Sequence, residues 1–163
     1  MFKKQAIFTL SILLGANLFS VTNLYAKELR LAPPSYHWKG VETGKKTIMP
    51  VSILIENVSE QARSYHLKAM VPVELQLEVE KGFEPIPNTE WVSFEEVMVL
   101  VPAGGTKGVK MYVAIPKEAK FKKPWMFYVE VKEEVSRYGY LRGKPDMFAL
   151  ACYLKIYLSP KER

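Results

Sequence analysis

The chain has 163 residues, 23 Lys and Arg against 17 Asp and Glu, two His and one Cys, a length that suits one domain. Eighteen of the cations are Lys interspersed with Glu, which argues against the Arg-rich basic element of a nucleic-acid binder. Asp146 is the only Asp, which argues against Asp-built calcium loops and most two-metal sites.

The first 26 residues read as a signal peptide. Met1, Phe2, Lys3 and Lys4 give a short positive start, residues 6–19 are mostly apolar, and a polar stretch leads to Ala26, a small residue suited to cleavage. Thr9, Ser11, Gly15 and Asn17 interrupt the apolar run, which falls short of the about 20 residues a membrane-spanning helix needs. Loss of this segment removes Lys3 and Lys4 and no acid, so residues 27–163 keep 21 cations against 17 acids. That small surplus suits solubility. The expectation is a protein exported to the periplasm or cell surface of a bacterium, with no membrane span in the mature chain.

From residue 27 onward no stretch keeps a helical apolar period. Short β-branched and aromatic runs bounded by Gly, Pro and Asn recur instead. They predict strands over residues 28–32, 47–56, 64–70, 73–79, 91–94, 97–101, 109–115, 125–131 and 149–158. The clearest alternation sets Val73, Leu75, Leu77 and Val79 against Glu74, Gln76, Glu78 and Glu80, the pattern of a strand with one face in water. A turn is expected at 117–121 and another at Pro102-Ala103-Gly104-Gly105. Turn signals every 8–15 residues favour an all-β fold, a single immunoglobulin-like antiparallel β-sandwich of about seven to nine strands occupying residues 27–163. Cys152 has no second Cys to bridge within the chain and sits in an apolar run, where a buried thiol behaves as a small hydrophobe.

Several spaced features resemble bacterial extracytoplasmic immunoglobulin-like domains. They are Gly44, then Val51-Ser52-Ile53-Leu54-Ile55-Glu56-Asn57-Val58-Ser59, then Tyr65-His66-Leu67. Further on come Trp91-Val92-Ser93-Phe94 before the Pro102-Ala103-Gly104 turn, Val109 to the Ile115-Pro116 pair, and Phe127-Tyr128. The pattern, over residues 44–160, is similar to the domain of WxL-interacting cell-surface proteins and to NEW3-type fibronectin-like domains. It resembles more distantly the N-terminal domain of pilus-assembly chaperones. The resemblance implies the fold and an extracytoplasmic compartment. It transfers no functional residues, because the C-terminal span of the first group and the second domain of the chaperones have no counterpart in 137 residues.

The inventory for catalysis is thin. There is no Gly-x-Ser-x-Gly elbow and no phosphate-binding Gly loop, and the pairs Glu95-Glu96 and Glu133-Glu134 fall at strand ends where solvated charge is expected. No enzymatic activity, cofactor or small-molecule substrate is expected. His66 and Met70 are four apart, which puts both on one face of a regular strand; as soft ligands they keep a Cu(I)-binding sandwich in view. The Lys-rich stretch 117–123 lacks Arg and stacked aromatics, so no nucleic-acid partner is expected.

Residues 136–146 join two strong strands by a connection longer than a hairpin loop. They carry Arg137, Tyr138, Tyr140 and Arg142, residue types enriched at interface hot spots, and form the candidate partner-binding loop. An open sheet edge is a further route to a partner, and Pro50, Pro72 and Lys155 are candidate edge guards. The functional expectation is a non-enzymatic interaction or structural module whose partner is another envelope or surface protein. A pilus-chaperone-like subunit carrier comes second and a Cu(I)-binding sandwich third.

Overall fold

The computed structural model describes residues 29–134 and 150–161; the predicted signal peptide over residues 1–26 lies outside them. Their sequence alternates strongly, and the chain answers with strands. They are β1 (Leu29–Ala32), β2 (Ser35–Val41), β3 (Lys46–Ile48), β4 (Ile53–Asn57), β5 (Arg63–Met70), β6 (Glu84–Pro85), β7 (Val92–Phe94), β8 (Met98–Val101), β9 (Thr106–Val109), β10 (Met111–Ala114), β11 (Trp125–Glu133) and β12 (Ala151–Pro160). The helical content among the described residues is confined to 3-10 turns at Pro72–Leu75 and Thr89–Trp91.

One layer is a six-stranded sheet in the order β2-β12-β11-β5-β8, with β6 beside the start of β11. The other layer is two three-stranded sheets, β1-β4-β9 and β3-β10-β7. The chain passes from one of these to the other at Lys110, between β9 and β10. Alternation sends Ile53, Ile55, Val109, Met111 and Val113 of this layer inward, against Tyr65, Leu67, Phe127, Val129, Leu154 and Ile156 of the six-stranded sheet, all essentially inaccessible to solvent. Cys152 is half-buried beside this core with its Sγ 3.6 Å from the Leu29 carbonyl oxygen, and burial pushes its thiol pKa up.

The all-β immunoglobulin-like fold class is as expected, but the strands are cut differently. The expected strand 47–56 is two, because Pro50 and the bend after it separate β3 from β4, which join different sheets. The expected strand 109–115 is likewise shared between β9 and β10. β2, which has no counterpart among the expected strands, runs parallel to β12 along Lys155–Pro160.

The expected strand 73–79 is not a strand. Pro72 lacks an N–H and fixes φ, so it ends the ladder beyond β5. The Glu74 carboxylate accepts from the Val71 N–H at 2.8 Å, and Gln76 adopts a left-handed φ of 56°, which turns the chain out of the sheet plane. Val73 ends up 76% exposed. Glu133 also departs from the expectation of solvated charge: it is buried and accepts a hydrogen bond from Arg63 Nη1 at 2.5 Å. Glu95, by contrast, is exposed and held by Lys110.

Asn57 locks the turns at one end of the sandwich. Fully buried, its side-chain amide donates to the carbonyls of Gln61 (2.7 Å), Val101 (3.1 Å) and Pro102 (3.1 Å), while its Oδ1 accepts from the Ser59 N–H and hydroxyl. The Pro102–Gly105 turn it grips needs Gly104 at φ 62°, and the Gly104 N–H returns to the Ser59 carbonyl at 3.1 Å. Asn57→Ala removes the one amide that joins the Gln61, Val101 and Pro102 carbonyls across the two turns. It should cost on the order of 1–3 kcal/mol in urea unfolding, whereas Ser93→Ala, at an exposed position, should change stability by less than about 0.5 kcal/mol.

Candidate partner-binding site

The outer face of the six-stranded sheet carries the side chains that the core does not take. The pairing register arranges them in rows. Leu100 and Ser64 form the first row; Met98, His66 and Lys132 the second; Lys68, Glu130 and Tyr153 the third; Met70, Tyr128 and Lys155 the fourth; Met126 and Tyr157 the fifth.

The last two rows are covered. Residues 71–86, displaced from the ladder, fold across them and lay Leu75 and Phe83 on Met126, Tyr128 and Tyr157, a second apolar cluster separate from the main core. Phe83 tilts against Tyr157 with ring centroids 4.7 Å apart, and His37 of β2 stacks on the same ring at 4.1 Å. Glu80 ties this cover to the sheet: Lys155 Nζ donates to one carboxylate oxygen and the Tyr157 hydroxyl donates to the other at 2.8 Å. The Lys155 hydrogen bond, then that of Tyr157, holds the Glu80 carboxyl below the usual carboxylate range. The same contact raises Lys155, and burial raises Tyr157.

The upper rows are open. Tyr153 donates to Glu130 at 3.1 Å and Lys68 lies 3.6 Å from Glu74 of the Pro72–Leu75 turn, so each charged group of the middle row has a polar partner. At its side, β8 exposes Met98 and Leu100. The expected edge guards do not guard it. Lys155 sits inside the sheet between β2 and β11, and Pro50 and Pro72 lie in connections before β4 and after β5.

The expected loop residues Arg137, Tyr138, Tyr140 and Arg142 lie outside the described residues. The ends of their segment are placed. β11 and β12 pair up to Lys132 and Ala151, the Glu133 N–H donates to the Leu150 carbonyl at 2.8 Å, and the Glu134 N–H donates to the Ser64 carbonyl at 2.8 Å. With the Arg63–Glu133 ion pair, these bonds fix both stems of residues 135–149. His66 and Met70 do share a face, but four strand residues separate them by about 13 Å, so one metal ion cannot bridge their donor atoms. Among the described residues no three His, Cys, Asp or Glu side chains gather into a group that could hold a metal ion. Among those residues, too, no helix is long and apolar enough to cross a membrane.

No family model matches this sequence, and no curated protein matches it. Solved structures do. The chain is similar to the ASH/PapD-like domain 7 of human CEP192, at a TM-score of 0.57 and 12% identity over 97% of this chain and 99% of that one. It is similar to the periplasmic chaperone SfaE, at 0.55 and 10% over 82% of this chain and 58% of that one. A putative carbohydrate-binding protein from Bacteroides ovatus matches at 0.59 and 6%, over 83% of this chain and 38% of that one. Other fimbrial chaperones recur among the matches, one of them SafB in complex with the SafA pilin of Salmonella enterica. The fold is thus an immunoglobulin-like sandwich shared with these PapD-like neighbours, and the chain spans little more than half the length of the chaperones it matches. These neighbours are chaperone or binding-type domains at low identity; they carry the pilus-chaperone side of the resemblance, while its WxL-interacting and NEW3-type side stays an expectation.

The Glu80 clamp predicts a pH-dependent cover. A carboxyl whose pKa is lowered in the folded chain stabilises it at pH above the ordinary value of 4.5, and that contribution is lost as pH falls through the lowered value. The ring-current shift that Tyr157 imposes on His37 should diminish over that acid range in two-dimensional NMR spectra. Glu80→Gln should weaken the shift already at pH 7 and show no further loss in acid. Phe83→Ala, which removes a half-buried ring from the same cluster, should cost about 1–2 kcal/mol and speed amide exchange in residues 72–86, with β11 and β12 unchanged.

Proposed function

We propose that the chain is a non-enzymatic, exported immunoglobulin-like module of a cell-envelope or surface assembly, and that its partner is another protein there. The observation that carries this reading is the anchoring of residues 132–134 and 150–151, the described flanks of the candidate loop sequence. They end the longest ladder among the described residues, eight paired positions between β11 and β12, and are held by main-chain hydrogen bonds and the Arg63–Glu133 ion pair. Loops on such a rigid support are the usual carriers of binding residues. Arg137, Tyr138, Tyr140 and Arg142 supply large amphipathic side chains with few rotatable bonds, or planar donors, as hot spots require. The periplasmic setting of a neighbour such as SfaE supports the exported compartment. The N-terminal sequence over residues 1–26 supports it independently.

A subunit carrier of the pilus-chaperone kind is the second reading. It is favoured by the recurrence of fimbrial chaperones among the structural neighbours, one of them captured with its pilin. The two readings separate by what the protein holds: a carrier recovers a stoichiometric, otherwise unstable subunit, whereas an assembly module recovers a partner that is stable alone.

Changing Tyr138, Tyr140 and Arg142 together to Ala should reduce capture of the partner from the organism's own envelope fraction at least about tenfold, as loss of hot-spot side chains does. The thermal midpoint should stay within a few degrees, because these residues lie beyond the paired stems. Undiminished capture would place the binding surface elsewhere on the molecule.

A further inference from the structure

Among the described residues β8 forms one edge of the six-stranded sheet, opposite β2, and it is apolar on both faces. Val99 and Val101 face the core, while Val97, Met98 and Leu100 are 47%, 47% and 61% exposed. The Leu67 N–H donates to the Val97 carbonyl at 2.9 Å, which puts Val97 in a hydrogen-bonded position against β5. By the alternation of an antiparallel ladder, Val99 and Val101 occupy such positions too. The main-chain N–H and C=O groups of Met98 and Leu100 therefore point away from β5, to the side where no further strand stands among the described residues. No charged residue lies within residues 97–101, and the Glu95 and Glu96 carboxylates next to them are held by Lys110 and Lys107. The strand has none of the lysines, prolines or bulges that keep an edge from pairing.

We propose that β8 pairs with β8 of a second copy of this chain, antiparallel and centred on Val99, so that two six-stranded sheets become one. The register follows from the groups left free. Centred on Val99, Met98 of each copy falls opposite Leu100 of the other, and the outward N–H and C=O groups of all four residues are satisfied in two reciprocal pairs. The neighbouring register toward the C-terminus sets Met98 against Pro102, which has no N–H to give. The one toward the N-terminus sets Leu100 against Glu96. In the chosen register Glu96 falls opposite Pro102 and Glu95 opposite Ala103, so no like charges meet. The exposed Met98 and Leu100 side chains form cross-strand apolar pairs on the outer face and cover one another. The same patch serves both copies, the isologous arrangement of a two-fold dimer. This edge lies across β5 from the β11–β12 stems, so the inference stands whether or not residues 135–149 bind a partner.

Sedimentation equilibrium tests it on the protein purified after expression of the full 163-residue sequence. The expected result is a mass that rises with concentration to twice that of the monomer. The double variant Met98→Lys with Leu100→Lys should stay monomeric at every concentration, with an unchanged circular-dichroism spectrum. A wild-type protein that remains monomeric throughout, or a double variant that still dimerises, overturns the proposal. If the double variant loses its fold, amide exchange in the wild type decides. The Met98 and Leu100 amides should slow about tenfold between dilute and concentrated samples while that of Val99 does not change, and concentration-independent exchange at both overturns the pairing.

Discussion

Trp125, Met126, Phe127, Tyr128 and Val129 are buried in succession, so β11 has to be covered on both of its faces. The inner face meets the two three-stranded sheets. The outer face, with Tyr157 beside it on β12, needs a second cover, and residues 71–86 supply it through Leu75 and Phe83. Much of the rest depends on that demand. It draws the chain out of the sheet at Pro72, so that among the described residues β5 carries the short β8 on its outer side, while β6 lies beside β11 beyond the end of β5. It also leaves Val73, Leu77 and Val79 in water, because the cover touches the sheet at a few points rather than along a ladder.

The sequence announced this arrangement in one place and disguised it in another. The run from Trp125 to Val129 has no polar residue to give an outer face to water, which is the signature of a strand buried on both sides. Residues 73–79 show the cleaner alternation, and it misleads, because period two records only that the chain is extended and amphipathic. A ladder also requires a neighbour with free N–H and C=O groups, and Pro72 with the left-handed Gln76 removes the chain from reach of one. β2 escaped for the opposite reason. Tyr36 and Trp38 alternate with His37 and Lys39 as a strand should, but the tract lies between Pro33-Pro34 and Gly40 and pairs with residues near the other end of the chain, which no local pattern reveals.

Of the candidate site, the aromatic and cationic content of residues 136–146 was legible because it depends on residue types alone. The bare edge was not. Pro50, Pro72 and Lys155 looked like its guards by composition, yet an edge is a property of strand order, and the order puts Lys155 in the middle of the sheet holding Glu80. The same holds for Glu133: a carboxylate at the end of a strand is ordinarily solvated, and only the neighbouring position of β5 brings Arg63 to it and takes the carboxylate from water.

The parallel pairing of β2 with β12 has a consequence for the order of events in folding. Ser35 meets Lys155 and Trp38 meets Leu158, so β2 finds its neighbour only after the chain as far as residue 158 is available. Such a contact closes a long loop and forms late, after the local β11–β12 and β5–β8 pairings have reduced the entropy it must overcome. Until then the His37–Tyr157 stack and the flank of the Phe83 cluster are unmade. The β2–β12 seam therefore closes late, and a chain emerging N-terminus first keeps β2 and one side of β11 unpaired until residues 151–160 arrive.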